Sequence, residues 1–158
     1  MKTLLFLCVS ASLVAMSWAI PQTITSGGIF GSGRSLEKFA GDRETWPPSA
    51  ALPGPWSPPA ANGVRTLTDS TTVFGLPAAE VRAEQSNDRL TRLRVTFRDN
   101  GKDKRTLFTR VSQNIAAFTG HPPREEGRDA KVFRYEKTQI RATPAKEGEV
   151  IVEFTPLP

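Results

Sequence analysis

One histidine and one cysteine occur among the 158 residues, and that scarcity decides most of what the chain's chemistry can be. Metal centres and nucleophile–base pairs draw mainly on imidazole and thiolate. Cys8 lies inside an apolar leader expected to be cleaved. Its loss leaves no thiol for a nucleophile, a thiolate metal site, an iron–sulfur cluster or a disulfide. With His121 the sole imidazole, a multi-histidine metal site is excluded too, and no cofactor is expected. His121 precedes Pro122-Pro123 in a loop that also carries Arg124, Glu125, Glu126 and Arg128. Paired with a carboxylate it could act as the base of a small secreted hydrolase, although no nucleophile-elbow sequence supplies a serine. Glu125 and Glu126 could serve as an acid–base pair, but flanking arginines more simply neutralise them as a surface cluster.

Three partial motifs dissolve when their structural context is required. Gly28-Ile29-Phe30-Gly31-Ser32-Gly33-Arg34-Ser35 comes within one residue of a phosphate-binding loop, with Arg34 where lysine belongs. Such a loop needs a strand before it to aim its backbone N–H groups, and none fits between the leader and Gly28. Ser35-Leu36-Glu37-Lys38 spells the SxxK of serine acyl-enzymes without the large scaffold that chemistry requires. Asp99-Asn100-Gly101-Lys102-Asp103-Lys104 starts like a calcium loop, but Lys104 occupies the glycine position. A strand-to-helix turn with Asp103 as N-cap explains that stretch better.

The charge balance supplies the remaining signal. Lys and Arg number 21 against 16 Asp and Glu, for a net charge of +5. Arg92, Arg94 and Arg98 fall on one face of an alternating segment. Strand geometry puts the first two about 6 to 7 Å apart and the last two about 13 Å apart, a candidate stripe for an anionic polymer or partner surface. Glu84 is expected opposite Arg92, which pairs part of this charge across strands. Nucleic acid is disfavoured because no aromatic residues interleave with these arginines.

The elements that must position these groups fall into three segments. Residues 1–19 read as a secretory signal: Lys2, an apolar stretch from Leu4 to Val14, then small residues at Ser17 and Ala19. The run is too short to span a bilayer, and no membrane span is expected after cleavage. A secreted or periplasmic location follows. Residues 20–63 read as a disordered linker, rich in Gly and Ser and then in Pro, with six prolines between Trp46 and Gly63. Pro55-Trp56-Ser57-Pro58 fits a PxxP ligand, but a plain tether accounts for it, with Trp46 and Trp56 in water. Residues 64–158 carry the regular apolar spacing of a folded domain.

Within that domain, Val81 and Ala83 are expected opposite Val95 and Leu93, a register that requires an odd connection such as Asn87 to Arg89. Leu107, Phe108, Val111, Ile115 and Phe118 recur at helical spacing, predicting a helix from Lys104 to Thr119 stopped by Gly120. Val132–Thr143 and Glu149–Thr155 read as a second hairpin, with Ile140 opposite Val152 and Ala142 opposite Val150. The expected fold class is α+β: a two-layer sandwich in which two hairpins, about four antiparallel strands, pack on one helix in the order ββαββ, preceded by the disordered arm.

Thr72-Val73-Phe74-Gly75-Leu76-Pro77, Glu80-Val81-Arg82-Ala83, the strand from Leu93 to Phe97, the helix ending at Gly120 and Arg134-Tyr135-Glu136-Lys137-Thr138 follow in order. This succession resembles a small α+β accessory domain of exported bacterial proteins, which in longer chains accompanies a papain-like peptidase domain. The resemblance covers about Thr72 to Pro156 and implies a non-catalytic accessory or recognition role. No catalytic residue carries over. The expected function is therefore an exported, non-enzymatic binding or interaction module whose partner is a protein or a cell-surface polymer.

Overall fold

The computed structural model describes residues 36–41, 55–87, 89–99, 104–127, 129–145 and 148–157. The leader, the glycine-rich stretch 28–35, the turn 100–103 and Trp46 lie outside the described residues. In chain order the elements are α1 (Leu36–Gly41), β1 (Arg65–Thr66), β2 (Thr72–Val73), β3 (Leu76–Pro77), β4 (Glu80–Ser86), β5 (Arg89–Arg98), α2 (Lys104–Thr119), β6 (Arg124–Glu126), β7 (Ala130–Tyr135), β8 (Thr138–Pro144) and β9 (Glu149–Pro156). Seven strands form one antiparallel sheet in the order β1-β4-β5-β9-β8-β7-β6, and β2-β3 form a separate ribbon. The architecture is mostly β with one long helix. The expected ββαββ sandwich of two hairpins is therefore corrected.

Local rules account for α2. Leu107, Val111 and Ile115 repeat every four residues and are buried along one side, with Ser112 beside them. Gly120, at φ +72°, ends the helix. The buried side packs across β7, β8 and β9, against Phe133, Ile140, Val152 and Phe154. Fully burying a side chain of this size contributes roughly 1.5–3 kcal/mol, so these contacts dominate the stability of the layer.

Val81 lies opposite Val95, and Ala83 opposite Leu93. The odd residue this register demands is not in the loop. Ser86 pairs with Arg89, leaving two residues between them, and the register shifts between Glu84 and Gln85 so that Thr91 is the extra residue. The Thr91 hydroxyl donates to the Glu84 carbonyl at 3.1 Å, fixing the bulge.

The largest departure lies between Ala130 and Pro144, where one expected strand is two. Tyr135 pairs with Thr138 across a reversal at Glu136-Lys137, with Glu136 at φ +52°. The cause is legible in the spacing. Phe133 is buried at an odd position and Ile140 and Ala142 at even ones, which a single straight strand cannot place on one face. The β8–β9 register also differs by two residues from the expected one: Ile140 faces Phe154 and Ala142 faces Val152. Pro144 stays in the strand, and the loop closes through the Ala145 N–H donating to the Glu149 carbonyl at 2.8 Å. A shift of two keeps every side chain on its face.

Parts of the arm pack on the domain. Leu36 and Ala40, four apart in α1, are fully buried, and α1 rests against β8. Ahead of β1, Trp56 bridges to Leu67. Ser57 N–H donates to the Thr66 carbonyl at 2.8 Å and Thr68 N–H to the Pro55 carbonyl at 2.9 Å. Trp56 is half-buried against the core. The expected free tether over 20–63 is thus docked at both of its described stretches.

The β2–β3 ribbon turns through Phe74 and Gly75, at φ +52° and +72°. Two positive φ values in a two-residue loop fit the tight twist of a hairpin, but a bulky residue at φ > 0 is strained. Phe74 is held there by its surroundings. Its ring stacks on Phe154 with centroids 5.8 Å apart and meets Phe118 edge-on at 5.4 Å. Its carbonyl accepts a hydrogen bond from Asn114 Nδ2 at 2.7 Å, tying the ribbon to α2.

Candidate functional site

Alternation sends every second side chain of the sheet away from the helices. Pairing aligns these residues in rows across strands. One row runs Thr66, Arg82, Arg94, Glu153, Arg141, Val132, Arg124, and another Glu80, Thr96, Ile151, Thr143. Among the described residues, α1 and α2 both lie on the opposite side, so this face is open.

Arg92, Arg94 and Arg98 share that face, as their spacing requires, but they do not form a bare cationic stripe. Arg94 donates through Nε and Nη2 to one oxygen of Glu153, at 3.1 and 2.8 Å. Glu84 lies 3.5 Å from Arg94 and 3.4 Å from Arg92, and Arg92 is also 3.6 Å from Glu153. Arg98 donates to Glu149, with its Nε at 2.9 Å, and Arg82 pairs with Glu80 at 2.9 Å. Glu84 was expected from the β4 register. Glu149 and Glu153 were not, because their presence depends on β9 lying beside β5. The apolar alternation of Val150, Val152 and Phe154 marks those glutamates as outward-facing but does not say which strand they meet.

Among the described residues, the face carries these two depressions. One, of about 580 Å³, is bounded by Arg82, Arg94 and Arg98 together with Glu80, Glu149 and Ile151, so every guanidinium in it faces a carboxylate. The other, of about 680 Å³, lies at the β6 edge and is bounded by His121, Arg124, Glu126, Val132, Arg134 and Gln139, with Glu125 at its rim.

The second depression is built by the end of α2. Thr119 Oγ1 donates to the His121 carbonyl at 3.3 Å and accepts from its N–H at 3.4 Å, folding the chain back. Pro122-Pro123 then leads into β6, and Gly127, at φ +68°, turns it into β7. Glu125 and Glu126, successive on a strand, point to opposite faces. Glu125 faces Lys131 at 3.8 Å and Glu126 faces Arg141 at 3.5 Å. They cannot bracket one substrate, so the acid–base pairing of these carboxylates is corrected. Lys131 extends on the helix side, its Nζ 5.5 Å from the centroid of Phe108. Arg124, Arg134 and the His121 imidazole make no ion pair or side-chain hydrogen bond among the described residues.

Among the described residues no three His, Cys, Asp or Glu side chains cluster as a metal site, and no helix is long and apolar enough to cross a membrane. Comparison with protein-family models, with curated proteins and with solved structures returned no match.

Proposed function

We propose that the chain is an exported, non-enzymatic binding or interaction module whose recognition surface is the open face of its sheet. The observation that supports this reading is the face itself: seven strands wide, lined mainly by charged and polar side chains, and crossed by ion pairs between neighbouring strands. Rigid elements carrying paired charges suit recognition, since little ordering is left to do on binding. The leader supports export, and the likeness to a non-catalytic accessory domain supports a recognition role.

The second reading, a small hydrolase using His121, rests on the histidine's place in a depression beside glutamates. Its imidazole is exposed and has no carboxylate to fix its tautomer or orientation among the described residues, which a catalytic base requires. The purified chain should show no turnover across a panel of ester, amide, glycoside and phosphoester substrates. Turnover abolished by His121→Ala would overturn the non-enzymatic reading.

A further inference from the structure

The arginines that spacing singles out and the arginines that remain available are different residues. Arg92, Arg94 and Arg98 are each answered by Glu84, Glu149 or Glu153. In the depression at the β6 edge the balance is reversed. Its two carboxylates are turned to Lys131 and Arg141, while Arg124 and Arg134 keep their donors unspent among the described residues. Arg124 pairs in register with Val132, two residues before Arg134 on β7. That diagonal puts the two residues roughly 7–8 Å apart, with their Cβ atoms somewhat closer. Gln139, opposite Arg134 on β8, and His121 add polar side chains to the same hollow.

From this arrangement we infer that the hollow formed by Arg124, Arg134, His121 and Gln139 binds a tetrahedral oxyanion group, a sulfate or phosphate ester. Two guanidinium forks on neighbouring strands present several N–H donors to one anion, the geometry for which arginine surpasses lysine. Gln139 supplies a neutral donor, and the imidazole N–H offers another. Val132 floors the hollow with an apolar surface. Aromatic stacking plays no part: Phe108, Phe118 and Tyr135 are packed toward the core, which separates this site from a single-stranded nucleic-acid platform. The assignment deepens the binding-module reading and rests on it.

The chain contains one histidine, so its Hε1 resonance reports the hollow without isotope labelling. With pH and ionic strength held constant, sodium sulfate and sodium phosphate should move that signal saturably, whereas sodium chloride should not. Arg124→Ser/Arg134→Ser should weaken binding by about tenfold or more, the worth of one or more charge-assisted hydrogen bonds. Arg105→Ser/Arg110→Ser removes the same charge from exposed positions of α2, on the other side of the sheet, and should bind as the parent does. Heparin and unsulfated dextran form the polymer arm. Displacement by free anions alone assigns a small ligand, and stronger displacement by heparin assigns a polymer-borne ester. No saturable displacement by any oxyanion, or equal weakening in both double variants, overturns the site. The turnover screen reads catalysis alone, so failure of the oxyanion site is distinguishable from failure of the non-enzymatic reading.

Discussion

Phe74 sets two physical effects against each other at one position. Its side chain is 6% exposed and packed on Phe118 and Phe154. Truncation to Ala should therefore cost about 3 kcal/mol or more, the usual range for a buried phenylalanine. Its backbone, at φ +52°, is a conformation that any Cβ makes unfavourable by roughly 1–2 kcal/mol. Phe74→Gly loses the same ring and one more carbon, yet escapes that strain. Against this stands the extra chain entropy of glycine, roughly 0.5–1 kcal/mol. The bond from Asn114 Nδ2 reaches the main-chain carbonyl, so both variants retain it. The net expectation is that Phe74→Gly is more stable than Phe74→Ala by about 0.5–1 kcal/mol, the reverse of the order at an ordinary strand position. Urea unfolding followed by far-ultraviolet circular dichroism resolves this as a midpoint difference of roughly 0.3–0.5 M. An Ala variant equal to or more stable than the Gly variant would refute the claim that packing holds this residue in a strained turn.

Two further outcomes follow from the ion pairs and the docked arm. Glu153→Gln removes the carboxylate shared by Arg92 and Arg94 and leaves those guanidinium groups near Arg141, its cross-strand neighbour. The loss should be about 1 kcal/mol at low salt, shrinking in 1 M NaCl as the screening length falls from about 10 to about 3 Å; a deficit independent of salt would contradict the network. Because Trp56 is half-buried against the core, denaturation should red-shift tryptophan emission, and Trp56→Phe should abolish most of that shift; an unchanged shift would place the signal elsewhere.

Where the fold could be read from residues alone, one local rule acted without a competitor. The fourfold spacing of Leu107, Val111 and Ile115, closed by Gly120, fixes α2. Burial parity fixes the β4–β5 pairing even though a bulge at Thr91, rather than a longer loop, supplies its odd residue. The reversal at Glu136-Lys137 carries no Gly, Pro or Asn, so turn chemistry is silent there. Only the switch of buried positions between Phe133 and Ile140 betrays it. The strands β1, β2, β3 and β6 are two or three residues long, too short for any period to register. The docking of Leu36 and Trp56 is a tertiary effect within a segment whose composition favours extension. The site follows the same division. The shared face of Arg92, Arg94 and Arg98 is a matter of alternation, whereas their neutralisation depends on which strand lies next to β5.

That neighbour is β9, the final strand of the fold, seated between β5 and β8. During synthesis β4–β5 and β7–β8 can each close as a local hairpin, but nothing joins them until residues 149–156 have emerged. Before then the growing chain holds two half-sheets with open edges at β5 and β8, and the burial shared by Leu93, Phe154 and Ile140 cannot form. Completion of the sheet is therefore tied to the end of this segment rather than spread along it. Such late, long-range closure slows folding.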